Sequence, residues 1–189
     1  MNTPSLSKSD FKIAHSCPTK LYYKKNNYPT SSEEDPYLEM LAEGGYMVGK
    51  LAQLLYPKGI EILTDKGTEH ALLQTEALLN SGRDVTLFEA AIAVNNKIIR
   101  VDILEKKEGV FNLIEVKSKS IDSRKDKNNK PRKHVGQAEY EEYLADVAYQ
   151  KLVLQEKFPE AKVNAWLMMP DQQYVAGLDG MVSWFEIQR

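Results

Sequence analysis

The 189-residue chain reads as an α/β fold with a mixed central β-sheet flanked by helices, on three observations. Its first third carries apolar residues at helical spacing, and Val85 to Val116 alternates with a period of two around a Lys107-Glu108-Gly109 turn. A strand, a long helix and a second strand then follow between Val110 and Met168, the succession of a crossover that lays a helix against a sheet.

Taken in order, Ser7 or Ser9 can cap a first short helix, and Pro18 fits the first turn of a second. Residues 26–35, with Pro29 and Ser31-Ser32, read as a loop. Asp35-Pro36 then starts a long helix with Leu38, Leu41, Val48, Leu51 and Leu55 on an apolar side, and Gly59 ends that pattern. Gly44-Gly45 inside it weakens the helix relative to alanine; the pair marks a kink or a close approach, with close packing of another backbone preferred over contact with a phosphate. A third long helix is expected over Asp65 to Leu79, stopped by Asn80-Ser81-Gly82. Val85 to Val94 is the first core strand, and the hairpin around Gly109 supplies the next two. Val135 to Lys157 is helical through Tyr140, Tyr143, Val147, Gln150 and Leu154. Lys162 to Met168 and Met181 to Ile187 are the remaining strands. The chain thus divides into a helical region, 1–82, and a sheet core, 83–189, that carries a basic loop at 118–134.

With 42% hydrophobic and 28% charged residues, this length suits one domain with a sizeable core. The chain stops directly after an expected strand, which leaves open a complete domain or the N-terminal part of a longer protein. No N-terminal apolar stretch resembles a signal peptide and no window approaches a membrane span, so a cytoplasmic location without a membrane partner is expected. A lone cysteine forms no internal disulfide, and Cys17 reads as a buried small apolar group.

The chemistry concentrates between Glu89 and Lys117. Glu115 and Lys117 project to the same side of a strand, and hairpin pairing can bring Asp102 across from them. Two close carboxylates repel unless a positive charge separates them, and Mg²⁺ or Mn²⁺ favours carboxylate oxygens, water and a substrate phosphate. Hydrolysis of a phosphodiester is the implied reaction, with Lys117 orienting water or offsetting charge on the phosphate.

Asp102 followed by Glu115-Val116-Lys117 resembles the D…(D/E)-x-K core of the PD-(D/E)XK nuclease superfamily, with its restriction-endonuclease-like sheet. The N-terminal Leu6-Ser7-Lys8-Ser9-Asp10 and Cys17-Pro18-Thr19-Lys20-Leu21-Tyr22-Tyr23 are similar to the RecB-like branch, including CRISPR-associated adaptation nucleases. The resemblance implies a metal-dependent deoxyribonuclease of DNA repair, defence or mobile-element processing, acting on single strands or duplex ends. By it Asp102, Glu115 and the Val116 carbonyl would hold the metal, Lys117 would be catalytic and Glu89 an added acid. Gln150 resembles a glutamine that points at the active site of such nucleases; Leu154 stands where they carry an aromatic, and Tyr149 partly replaces it.

The chain departs from the pattern in three places. Val101 replaces the proline, Gly49 stands where a metal-binding histidine is common, and one cysteine excludes an iron–sulfur cluster within the chain. Glu43 is either a substitute ligand or a solvated helix residue, and Gln150 either a buried amide bonded to backbone or a substrate-facing one.

A formal net charge of −2 gives no global attraction to nucleic acid, so contact must come from a local patch. Lys119, Arg124, Lys125, Lys127, Lys130, Arg132 and Lys133 provide one beside Lys117, either gripping phosphates or forming a solvated loop. The readings that remain are a nuclease, a catalytically weakened nucleic-acid-binding module of the same fold, and a small-molecule or protein-interaction domain whose charges meet another domain or protein partner.

Overall fold

The computed structural model describes residues 6–29, 36–124 and 138–175, with the side chain of Glu139 left aside. Five helices, α1 (Lys8–Ser16), α2 (Pro18–Lys25), α3 (Pro36–Gln53), α4 (Thr68–Leu79) and α5 (Glu141–Lys157), surround five strands. The strands are β1 (Ile60–Glu61), β2 (Val85–Val94), β3 (Lys97–Lys107), β4 (Val110–Val116) and β5 (Lys162–Met168), and they lie side by side in chain order. β2, β3 and β4 form an antiparallel meander, while β1 runs parallel to β2 and β5 parallel to β4. The mixed sheet follows from this, because each parallel edge strand reaches its neighbour through a helix, α4 on one side and α5 on the other.

Glu108 and Gly109 carry the β3–β4 hairpin with φ of 50° and 78°, the left-handed pair that matches the twist of two strands joined by two residues. Neighbouring residues then face opposite ways. Leu87, Leu104 and Leu113 join the large core under α4 and α5, whereas Phe88, Ile103 and Ile114 meet Ala52 of α3.

Four expectations for the N-terminal region change. Only Ala52 of α3 is buried among the described residues, and Leu38 and Leu55 are 60% and 69% exposed. The apolar stripe of this helix therefore does not seat on the core, and Leu55 lies past its end. Gly44, Gly45 and Gly49 have nothing within 4 Å of where a Cβ would stand, so among the described residues no other backbone packs closely against that face. The region 1–82 also contributes β1, too short for alternation to reveal. Cys17 is half-buried at the α1–α2 junction rather than enclosed. The expected strand Met181 to Ile187 lies outside the described residues.

α1 is fixed by Asp10, the last residue of the Leu6-Ser7-Lys8-Ser9-Asp10 motif, to which the sequence assigns no role of its own. Asp10 is buried; its backbone N–H donates to Ser7 Oγ at 3.1 Å while its carboxylate accepts from the Ser7 N–H at 3.0 Å, a reciprocal capping box. Lys24 and Lys25 of α2 close on the same carboxylate at 2.9 and 2.7 Å. Burial alone would raise its pKa, but the two lysines and Ser7 outweigh it and hold the group well below the usual carboxylate range. The clasp ties α1, which carries Lys8 on its first turn, to α2.

Candidate active site

The β2–β3 register pairs Phe88 with Ile103 and Ala90 with Val101, which sets Glu89 opposite Asp102. The β3–β4 register, ending at Ile103 and Ile114, sets Glu115 next in line. Three carboxylates thus lie in a row across three strands, at the level where the pairing skips Glu89 and stops before Glu115. Glu89 has φ of 57°, a left-handed conformation that costs a non-glycine residue on the order of 1 kcal/mol. Where β3 and β4 part, the Val116 N–H donates to Asp102 Oδ2 at 2.7 Å in place of a ladder bond.

Glu115 is 1% exposed and fully engaged. Its Oε1 accepts from Lys117 Nζ at 2.6 Å and Lys8 Nζ at 2.7 Å, and its Oε2 from Gln150 Nε2 at 2.6 Å. Lys117 also donates to Asp146 Oδ2 at 2.9 Å, with Lys12 3.8 Å from the same oxygen, and its ammonium lies 5.4 Å from the Tyr143 ring centroid. The Gln150 amide therefore bonds a buried carboxylate of the row, neither backbone nor open solvent. Burial raises the Glu115 pKa, but Lys8 and Lys117 outweigh it and leave it lowered. Burial likewise works against the Lys117 ammonium, yet Glu115 and Asp146 raise its pKa, so it stays charged and supplies positive charge, not a base.

Asp102 and Glu89 have the opposite character. Burial, with the neighbouring Glu115 charge, pushes the Asp102 carboxyl up to about 6, and burial raises Glu89 despite Arg100, Lys8 and Lys50. For both groups burial, more than any excess of negative charge, disfavours the ionised form. A carboxyl with a native pKa above its unfolded one costs the fold nothing below about pH 4, then progressively more as pH rises to about 6. Asp102→Asn, which keeps an acceptor for the Val116 N–H, is accordingly expected to raise stability in EDTA by about 1–2 kcal/mol at pH 8 and to leave it unchanged near pH 4. Thermal melts at the two pH values check this; a lower midpoint at pH 8 would contradict the cost of burying the Asp102 charge.

A cavity of about 620 Å³ opens beside the row, between α3 and the sheet, with Gly45 and Gly49 on one wall and Glu61, Glu89, Arg100 and Asp102 on the other. A recess of about 340 Å³ on the α1 side shares Glu89, Arg100 and Asp102 and adds Lys8. The donor chemistry fits a hard divalent cation: the row is all oxygen, its uncompensated end is Asp102 and Glu89, and two buried acceptors, Asp146 Oδ1 and Gln150 Oε1, have no partner among the described residues. Among the described residues no three His, Cys, Asp or Glu side chains converge tightly enough to hold an ion, and the Lys8 ammonium occupies the Glu115 side.

The remaining expected positions divide. Gly49 does face the cavity, whereas Glu43 is exposed and does not line it. Tyr149 is turned inward, stacked on Phe11 with its hydroxyl donating to the Leu6 carbonyl at 2.7 Å, so its ring meets the core. Arg124 is held by Asp122 through Nη2 at 2.6 Å and Nε at 2.9 Å, and Lys119 lies 5.0 Å from the Tyr140 ring centroid. Lys125, Lys127, Lys130, Arg132 and Lys133 lie outside the described residues. Three site residues escaped the sequence reading. Asp146 had a signal, one turn before Gln150 on α5, and Arg100 had one, two residues before Asp102 on β3; Lys8 had none.

Compared with models of known families, with curated proteins and with solved structures, the chain matches none. Among the described residues no helix is long and apolar enough to cross a membrane.

Proposed function

We propose that the chain is a metal-dependent nuclease that hydrolyses phosphodiester bonds of DNA. The observation that carries this reading is the row Glu89, Asp102 and Glu115 at an interruption of the sheet, with a charged lysine bonded to one end and a cavity open at the other. Strain at Glu89 and a raised Asp102 are features a fold tolerates where a site needs them.

A bound Mg²⁺ or Mn²⁺, held by Asp102, Glu115 and the Val116 carbonyl with Glu89 beside it, would supply Lewis acidity to the phosphoryl group and a more acidic water. The rest falls to the chain. Lys117, fixed by Glu115 and Asp146, would offset with its ammonium the negative charge that develops on the phosphate. Gln150 orients Glu115, and its free carbonyl with Asp146 Oδ1 offers acceptors to a water.

A nucleic-acid-binding module that does not cut is the second reading, favoured by Lys8, which already neutralises Glu115. End-labelled single- and double-stranded DNA and RNA, incubated with Mg²⁺, Mn²⁺ or EDTA, separate the two. Metal-dependent cutting by the wild type, lost in Asp102→Asn and Lys117→Ala, is expected. Binding by the wild type without any cutting would replace the nuclease reading with the module.

A further inference from the structure

Arg100 is half-buried on β3, two residues before Asp102, and so lies on the same side of the strand. Among the described residues it has no carboxylate within 4.0 Å and no hydrogen bond, although it attracts Glu89 through space. A guanidinium offers five donors in a fixed fork that matches the oxygens of a phosphate, and a half-buried one without a protein partner keeps them available to a ligand. The other cations at hand are committed: Lys50 to Glu61 and Gln53, Arg124 to Asp122, Lys8 and Lys117 to Glu115.

The wall facing Arg100 suits a different part of the same ligand. Gly45 and Gly49, one turn apart on α3, present no side chain and open space, so a planar group can lie along the helix. Tyr46 lines the same cavity, is 68% exposed, and carries Lys50 5.5 Å from its ring centroid. An aromatic platform and a fork of free donors across one cavity are the two grips that single-stranded nucleic acid offers, base and phosphate. A base inside a duplex is stacked on both faces and has none free for Tyr46.

We propose that this cavity seats a single-stranded segment of nucleic acid, with Arg100 taking a phosphate and Tyr46 stacking a base, next to the carboxylate row. The assignment rests on the nuclease reading and deepens it, because Arg100 lines both the cavity and the recess that share Asp102 and Glu89.

The test is anisotropy of a labelled single-stranded oligonucleotide in EDTA, where cutting is blocked, over a salt series. Arg100→Gln is expected to weaken binding about tenfold and to lower the slope of log K against log salt by about 0.7, one phosphate contact. Tyr46→Ala, at an exposed position that leaves the fold intact, is expected to weaken binding about tenfold at unchanged slope, with Tyr46→Phe restoring it. If the wild type binds and cuts while Arg100→Gln and Tyr46→Ala bind as it does, this inference falls and the nuclease reading survives. If the wild type neither binds nor cuts nucleic acid, both fall.

Discussion

Replacing Glu115 by alanine is expected to destabilise the chain by about 3–5 kcal/mol, the range for removing one partner of a buried charge network. The carboxylate is 1% exposed and accepts from Lys8, Lys117 and Gln150, so its removal leaves two ammonium groups and an amide without their acceptor. Lys8 can turn to solvent, its side chain being 25% exposed, and Lys117 retains Asp146. Gln150, fully buried, has no such outlet and loses its donor's only bond among the described residues. Glu115→Gln, which keeps the shape and loses the charge, should fall between alanine and wild type. Urea unfolding, read as a lower midpoint at unchanged slope, measures it; a loss under about 1 kcal/mol would show the network to be incidental. The sign is opposite to that expected of Asp102→Asn at pH 8. Two carboxylates of one row thus affect stability in contrary directions, Glu115 because its two lysines outweigh the cost of burial and Asp102 because burial outweighs its partners.

That contrast was only half legible in the sequence. Period-two alternation placed β2 at Val85 to Val94 and β5 at Lys162 to Met168, and glycine in the Glu108-Gly109 turn fixed the hairpin, since local chemistry determines these elements. The same register argument put Glu115, Lys117 and Asp102 together. Which cation neutralises which carboxylate depends on contacts between residues far apart in the chain. Lys8 reaches Glu115 across 107 residues, with α1 held on the sheet and α5 by the Leu6–Lys97 bridge and the Phe11–Tyr149 stack, and nothing local to Lys8 announces that contact. Tyr149 and Gln150, adjacent on α5, share no fate: one stacks on Phe11 and the other bonds Glu115. Helical periodicity misjudged α3 because it reports that a face is apolar, not that anything covers it. A two-residue β1 offers no pattern, and its pairing with β2 shows only in space.

Lys8→Met is expected to tighten Mn²⁺ binding about 10- to 100-fold, which is the second large effect that follows from this network. Lys8 Nζ lies 2.7 Å from Glu115 Oε1, and its charge also lowers the pKa of Asp102 and Glu89, so it acts on all three carboxylates of the row. An ammonium and a divalent cation compete for the same negative charge, and a methionine of similar length leaves the charge without occupying it. Lys117 does not take over this role, because it is shared with Asp146. Titration of free Mn²⁺ by electron paramagnetic resonance reads the affinity directly, without cleavage. If Lys8→Met binds Mn²⁺ more tightly and added Asp102→Asn cancels the gain, the cation occupies the row and Lys8 tunes its entry. If both chains bind Mn²⁺ alike, Lys8 does not compete for the row, and its contact with Glu115 serves only to dock α1 on the sheet.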